Sequence, residues 1–77
     1  MVSAYILIQT EVGKIAAVTA SARSVPGVSE TASVVGPYDV VARAQAQDMD
    51  KLAKLVTSKI QLLDGVTRTV SCAVVRL

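Results

Sequence analysis

The hydrophobic residues of this chain follow two different periods, which alternate along the sequence. "AYILIQT" is an apolar run typical of a strand, and the residues after it carry apolar side chains at the i, i+3 and i+7 spacing of a helix. Pro26 and Gly27 end that helix, because proline cannot continue it and glycine supplies the turn. "VSETASVV" and the alternating "DVVARAQAQ" read as two further strands. The predicted elements are strands at 4–10, 28–35 and 39–47 and a helix at 13–25.

A second helix and a last strand complete the pattern. Asp48 is a favourable N-cap residue, and Asp50 adds negative charge to the first helical turn. "DG" at 64–65 stops the helix, and "VTRTVSCAVVRL" at 66–77 is the predicted last strand. The helix carries a broad apolar stripe made of Leu52, Leu55, Val56, Ile60 and Leu63.

The two halves of the chain resemble each other. Gly65 lies 38 positions after Gly27, and this shift places "GVSETAS" on "GVTRTVS" and Val18 on Val56. The sequence is therefore interpreted as a duplicated βαβ unit. Two such units with right-handed crossovers predict the α+β class and a ferredoxin-like βαββαβ fold, with a four-stranded antiparallel sheet and both helices on one face.

Alternation along the predicted strands assigns side chains to the two faces of the sheet. The face towards the helices is predicted to be small and apolar: Ile6, Ile8, Ala32, Val34, Val40, Ala42, Ala44, Val70, Cys72 and Val74. The open face is predicted to carry Tyr5, Leu7, Gln9, Thr31, Ser33, Val35, Val41, Arg43, Thr69, Ser71, Ala73 and Val75. This mixed set is too apolar for water, so a dimer formed through the open face is predicted. The alternative is that its apolar residues are scattered exposed side chains.

Composition supports association of a single domain, residues 1–77. The chain is 52% hydrophobic, and a domain of this size buries only about 60% of its unfolded surface. The net charge of +2 is scattered and aromatic residues make up 3%, which argues against direct nucleic-acid binding. The N-terminus has the pattern of neither a signal peptide nor a membrane helix. The single Cys72 fits a reducing compartment, so we expect a cytoplasmic domain without a membrane partner.

The usual parts of a catalytic or metal site are missing. The chain contains no histidine, the commonest general base and metal ligand. Asp48 and Asp50 are explained by capping, and Cys72 alternates inward as a small hydrophobic residue. "VGKIA" lacks the upstream glycine of a phosphate-binding loop. The sequence therefore predicts no cofactor, no metal and no enzymatic activity.

The stretch Gly36-Pro37-Tyr38-Asp39 is the strongest candidate for binding. Pro and Asp suit a tight turn between two strands, and the turn alone accounts for them. It does not account for Tyr38, one of two tyrosines, since an aromatic side chain is more useful packing on a neighbour or closing over a ligand. Asp39 could accept a hydrogen bond from an ammonium group, so a small zwitterion would suit this place.

Four stretches together resemble the Lrp/AsnC effector-binding domain, also called the RAM domain. They are "AYILIQTEVGK", "VPGV", "VVGPYDVVARAQAQDMDKLAKLV" and "GVTRTVSCAVV", in the family's order and spacing over nearly the whole chain. The family often has proline where Val12 stands, and its typical members carry an N-terminal helix-turn-helix that this sequence lacks. The resemblance thus implies a stand-alone sensing module that modulates full-length Lrp/AsnC regulators by co-assembly.

The resemblance also implies an assembly and a site. Family members dimerise through their sheets, and the dimers form rings, often octamers or decamers, that bind amino acid effectors between dimers. The implied effector loop is Gly36, Pro37, Tyr38 and Asp39, and the implied strand partners are Ser33, Thr69, Ser71 and Ala73. Two other functions stay open: a small enzyme of the dimeric α+β barrel type, and an assembly protein without a ligand, in which Tyr38 is an interface anchor.

Overall fold

The computed structural model describes residues 1–76 and confirms the predicted βαββαβ order. The sheet is antiparallel with the strand order β2-β3-β1-β4, so the first strand of each half lies in the centre. The elements are β1 Val2–Thr10, α1 Ile15–Arg23, β2 Val28–Ser33, β3 Val40–Ala46, α2 Met49–Leu55 continued by a π-helical turn Val56–Ile60, and β4 Val66–Ala73. Leu77, at the end of the predicted last strand, lies outside the described residues.

The core lies between the two central strands and the helices. Three alternating residues in each of β1 and β3 point to the helices and are fully buried: Ala4, Ile6 and Ile8, and Val40, Ala42 and Ala44. The helices contribute mainly small or β-branched side chains, which allow them to approach the sheet closely. The buried cluster consists of Ala4, Ile6, Ile8, Val18, Ala22, Val40, Ala42, Ala44, Leu52, Val56 and Ile60.

Two glycines support the interpretation of a duplicated chain. Gly27 and Gly65 precede β2 and β4 with φ of 99° and 93°, a conformation that favours glycine. Their carbonyls accept hydrogen bonds of 2.8 Å from the backbone N–H groups of Gln45 and Glu11, each at the end of a central strand of the other half. The same turn is therefore used twice, as the 38-residue shift predicts.

The predicted faces are correct for the central strands and wrong for the edge strands. Ile6, which is buried under the helices, is paired with Ala42 and Ser71, and Ala42 is paired with Thr31. Directly opposed residues share a face. Thr31, Ser33, Thr69, Ser71 and Ala73 therefore face the helices, whereas Ala32, Val70 and Cys72 face away. Cys72 is exposed rather than buried. Val34, Val35, Val74 and Val75 lie beyond the ends of their strands.

The hydroxyl rows of the edge strands have a physical reason. α1 packs on β2 and β3, and α2 packs on β3 and β1. On the edge strands the helices present polar groups as well as apolar ones. The Thr31 hydroxyl donates a hydrogen bond of 2.9 Å to the carbonyl of Thr19 in α1. The Thr69 hydroxyl accepts one of 3.0 Å from Gln61 Nε2, after the π-helical turn. Polar residues satisfy these groups where an apolar residue would leave them unpaired.

With this correction, the apolar side chains in the middle of the open face form one continuous row. Two rows of cross-strand neighbours run over all four strands, and the first contains no polar side chain. In the second row the Arg43 guanidinium lies over the Tyr5 ring, 5.8 Å from its centroid. The rows are Ala32, Val41, Leu7 and Val70, and Glu30, Arg43, Tyr5 and Cys72. In residues 1–76 no helix is long and apolar enough to cross a membrane.

Candidate functional site

Asp39 holds the predicted effector loop against the end of β1. Its Oδ2 accepts hydrogen bonds from the backbone N–H and the hydroxyl of Thr10, at 2.8 and 3.2 Å. Its own N–H donates to the carbonyl of Ile8, and its carbonyl accepts from the N–H of Val34, both at 2.9 Å. The side chain thus extends the pairing of β1 with β3 to the residue before the start of β3. Among the described residues, the Asp39 Oδ1 atom accepts no hydrogen bond and is left for another donor.

The rest of this loop is largely exposed. Gly36 and Pro37 are exposed and Tyr38 is half-buried. Val35 is fully exposed, with a relative accessibility of 106%. The loops after β1 and before β4 lie at the same end of the sheet and carry two more exposed apolar residues, Val12 and Leu62. These three residues, Val12, Val35 and Leu62, are referred to below as the loop-end patch.

A cleft of about 270 Å³ lies between the second helix and the edge of the sheet. It contains two of the predicted strand residues, Ser71 and Ala73. Thr69 lies one position beyond Ser71 on the same face and contacts Gln61, which also lines the cleft. The lining residues are Ala4, Met49, Leu52, Ala53, Val56, Thr57, Gln61, Ser71 and Ala73.

The structure does not bring all predicted site residues together within one chain. The loop Gly36–Asp39 connects β2 and β3, whereas Ser71 and Ala73 lie on β4, at the opposite edge. Three strand spacings separate the two edges, roughly 14 Å. The loop and the cleft therefore lie apart within one chain, and we name them the two candidate half-sites.

Ser33 belongs to neither half-site. Its hydroxyl and that of Thr19 hydrogen bond to each other at 2.9 Å, and Thr19 also donates to the carbonyl of Ile15 at 2.8 Å. The pair closes α1 onto β2. Within one chain Ser33 therefore has a structural role, and its role as an effector partner stays a prediction.

Among the described residues, the corresponding hydroxyls of the second half do not hydrogen bond to each other. The 38-residue shift places Thr19 on Thr57 and Ser33 on Ser71. Thr57 repeats the bond of Thr19 to its own helix, donating to the carbonyl of Ala53 at 3.0 Å. Among the described residues Ser71 has no side-chain hydrogen bond, and Thr57 and Ser71 line the cleft together. The cleft thus occupies the place where the first half is closed.

The π-helical turn forms part of the cleft wall. The backbone N–H of Gln61 donates to the carbonyl of Val56 at 2.8 Å, a bond that spans five residues instead of four. Val56, Thr57 and Gln61 of this turn and its end line the cleft. Such turns are frequent at functional sites because they widen a helix locally.

Sequence reasoning missed the helical side of the cleft. Met49, Ala53 and Thr57 were part of a predicted helix and carried no sign of binding by themselves. A signal was available in the repeat, since the shift that aligns the two strands also aligns Thr19 with Thr57. Whether the aligned hydroxyls form a hydrogen bond depends on the distance between the helix and the strand. The sequence pattern does not encode this distance.

Charged groups lie away from the cleft. Its lining contains no acidic or basic residue. The ion pair between Lys14 and Asp64, 3.5 Å apart, is exposed. It joins the start of α1 to the loop before β4. Within residues 1–76, no group of three or more Cys, Asp or Glu residues could hold a metal ion. The cleft is therefore lined by neutral side chains.

The sequence of residues 3–77 matches the model of the Lrp/AsnC ligand binding domain. The chain belongs to this family. The match covers the loop, the second helix and β4, and thus includes both half-sites. It establishes a ligand-binding domain of a family of regulators. No curated protein matches the chain.

Three solved structures, one of them of a transcriptional regulator, have the same fold. TTHA0845 from Thermus thermophilus is 35% identical, with a TM-score of 0.92 over 100% of this chain and 96% of that one. The hypothetical protein PHS023 from Pyrococcus horikoshii is 27% identical, with a TM-score of 0.90 over 100% and 93%. The transcriptional regulator NMB0573 from Neisseria meningitidis, solved as an L-Met complex, is 25% identical, with a TM-score of 0.85 over 97% of this chain and 50% of the regulator.

Proposed function

We propose that this domain is an amino acid sensor that assembles with itself, and that the effector binds between the loop of one dimer and the cleft of another. The observation that supports this most directly is the division of the candidate residues into two half-sites at opposite edges of the sheet. One chain supplies Tyr38 and Asp39, and a neighbour supplies Ser71 and Ala73. The L-Met complex of a regulator with the same fold is consistent with an amino acid ligand.

The dimer forms through the open face. Leu7, Val41 and Val70 are half-buried in the centre of an apolar row that no helix covers in the described chain. Pairing this face with a second copy across a two-fold axis removes it from water. The polar second row, with Arg43 over Tyr5, lies beside the apolar row and gives the interface a polar part.

Association of dimers into rings uses the loop-end patch. Val12, Val35 and Leu62 have relative accessibilities of 103%, 106% and 76%, and they lie on three separate loops. Exposed apolar residues that converge at one end of a domain are typical of a contact surface. The effector then acts by linkage: it stabilises whichever assembly, octamer or decamer, contains the interface that it bridges. A full-length regulator of the family is a further partner, which the module would modulate by co-assembly.

The lining of the cleft favours binding over catalysis. An enzyme of the dimeric α+β barrel type needs acidic, basic or nucleophilic groups between its helices and sheet. That space is filled here by Ala, Ile, Val and Leu, and the adjacent cleft has no ionisable residue. The assembly protein without a ligand remains the competing function, and the following experiment separates it from the sensor.

Light scattering coupled to size-exclusion chromatography, with and without each of the twenty amino acids, tests the proposal. We expect an oligomer larger than a dimer whose size or stability changes with a few amino acids. Asp39→Ala should weaken binding roughly 10- to 100-fold, as for loss of a charged hydrogen bond. Thr10→Val is the matched control, because it removes one bond to Asp39 but keeps the carboxylate.

Two results would contradict this proposal in different ways. An oligomer that responds to none of the twenty amino acids, in size or melting temperature, would favour an assembly protein. Calorimetry that finds the same effector affinity in Asp39→Ala as in the parent chain would remove Asp39 from the site, and its bond to Thr10 would be its whole role.

A further inference from the structure

We propose that Glu30 and Arg43 form two symmetric ion pairs across the dimer, and that these pairs select a second copy of this chain as the partner on the open face. The inference rests on the proposed function, because it names the residues that decide which chain covers this face. It is carried by an unsatisfied donor on Arg43, by the unpaired carboxylate of Glu30 beside it and by the scarcity of acidic residues in the sheet.

Arg43 has a hydrogen-bond donor that its own chain leaves unsatisfied. The guanidinium lies over the Tyr5 ring, 5.8 Å from its centroid. Its Nε is buried and has no acceptor among the described residues. A buried donor on a charged group is costly to leave unpaired, so this position favours an acceptor from another molecule.

Glu30 lies next to Arg43 in the sheet and does not neutralise it. The two residues are cross-strand partners on β2 and β3, and Glu30 is exposed. Within residues 1–76 the one ion pair joins Lys14 to Asp64 instead. A cavity of about 180 Å³ beside both charges leaves room for a side chain of a second chain. It is lined by Tyr5, Glu30, Thr31, Ala32, Val41 and Arg43.

A second copy of this chain offers one acidic side chain to Arg43. When the open face is covered, the guanidinium loses water and needs a counter-charge. Glu30 is the only acidic residue in the four strands, so the sheet of a second copy supplies no other. A two-fold axis repeats every contact, so a bond from one chain's Glu30 to the partner subunit's Arg43 occurs twice.

The same two charges disfavour other partners. A chain that presents a basic residue to Arg43, or an acidic residue to Glu30, places like charges in a covered face and is rejected. A full-length regulator therefore joins this domain through the open face only if it carries a matching acidic and basic residue there.

Exchanging the two charges gives the sharpest test. The double variant Glu30→Arg with Arg43→Glu should dimerise with itself as the parent does, because the pair is only reversed. Mixed dimers with the parent chain should form at least about 10-fold less often than random pairing predicts, since like charges then meet at both contacts. Native mass spectrometry of the variant mixed with ¹⁵N-labelled parent chain, after exchange of subunits, counts the three dimers.

The single variants give the complementary result. Glu30→Arg and Arg43→Glu should each weaken self-dimerisation at least about 10-fold, and an equimolar mixture of the two should regain the dimer, because each supplies the charge that the other lacks. Lys54→Glu, at an exposed position of α2, makes the same change of net charge as Arg43→Glu and should leave the dimer unchanged. Arg68→Glu reverses the other basic residue of the strands and should have the smaller effect.

The contrary outcomes separate this inference from the proposed function. Random mixing of the double variant with the parent would overturn the ion pairs, because the two charges would then meet within one chain, and the dimer and the sensor would stand. Arg68→Glu that weakens the dimer as much as Arg43→Glu would overturn the choice of Arg43. A monomeric parent chain would overturn the proposed dimer and this inference with it.

Discussion

The two halves of this domain share one plan and differ in how the helix meets its edge strand. In the first half, Thr19 bonds to Ser33 and α1 is closed onto β2. In the second half, the corresponding Thr57 and Ser71 stand on two walls of a cleft, and Gln61 reaches across to Thr69 below it. The closed half has a regular α-helix, and the open half has a π-helical turn.

This difference indicates how a duplicated unit can gain a cleft in one of its halves. The hydroxyls of Thr57 and Ser71 that line the cleft correspond to the hydroxyls that hydrogen bond to each other in the first half. The cleft therefore needs no additional polar residue. A bulkier buried side chain accompanies the opening: the position of Ala22 in α1 is occupied by Ile60 in the second half, and both are fully buried. We infer that Ile60 helps to hold the second helix away from β4.

Ile60→Ala should have the largest effect of the substitutions that probe the comparison. Ile60 is fully buried at the end of the π-helical turn. Its truncation removes buried apolar surface and leaves a cavity, so we expect a loss of about 2–5 kcal/mol in the free energy of unfolding. Urea unfolding at fixed protein concentration measures it, as a lower midpoint with an unchanged slope.

Two further variants, one at Ile60 and one at the neighbouring Lys59, provide smaller stability changes for comparison. Ile60→Val removes one methylene and should cost about 0.5–1.5 kcal/mol. Lys59→Ala changes the exposed neighbour and should stay within about 0.5 kcal/mol of the parent chain. If Ile60→Ala were as stable as Ile60→Val, the helix would have moved inward to fill the space, and the second half would have closed like the first.

Gly65→Ala tests the turn that the halves share, and its effect should be smaller. A Cβ at Gly65 would lie 2.9 Å from the Cβ of Lys14, and φ is already 93°. We expect a loss of about 1–3 kcal/mol from the strained conformation and the contact. At Gly27 the nearest atoms would be 3.1 Å away, so Gly27→Ala should cost less.

Gly13→Ala is the control for these turns. Gly13 also has a positive φ, of 82°, but a Cβ there would meet no atom within 4 Å. Gly13→Ala therefore measures the cost of the backbone conformation alone. The decrease in melting temperature should be smallest for Gly13→Ala, larger for Gly27→Ala and largest for Gly65→Ala. Equal shifts at all three glycines would show that close contact adds nothing to the backbone cost.

The sequence allowed the element order, the duplication and the central core to be predicted, because each depends on local periods and on residues buried between layers. The faces of β2 and β4 were not predictable from hydrophobicity alone. Thr31 and Thr69 face the helices because they lie at the edges, where a carbonyl of α1 and the side-chain amide of Gln61 hydrogen bond to their hydroxyls. The apolar residues Ala32 and Val70 face outward, which agrees with the dimer proposed above.

The candidate site was predictable in part for a similar reason. The loop with Tyr38 and Asp39 stood out because a turn does not need an aromatic residue. The bond of Asp39 to Thr10 depends on where β3 begins relative to the end of β1, and the helical wall of the cleft depends on the distance between α2 and β4. Both are tertiary quantities, set by packing of residues far apart in the sequence.

Removing single hydroxyls should have the smallest effect on stability, and it tests most directly whether the two halves differ in their hydroxyl pairs. Thr19→Val removes the hydroxyl that bonds Ser33 and should cost about 1 kcal/mol. Thr57→Val removes a hydroxyl that bonds only carbonyls of its own helix within the described chain, and should change stability by less than about 0.5 kcal/mol. Double-mutant cycles with Ser33→Ala and Ser71→Ala, measured by urea unfolding without ligand, should give coupling for Thr19 with Ser33 and none for Thr57 with Ser71. Coupling of equal size in both cycles would mean that the second half closes in solution as the first does, and the cleft would then have to be opened by its ligand.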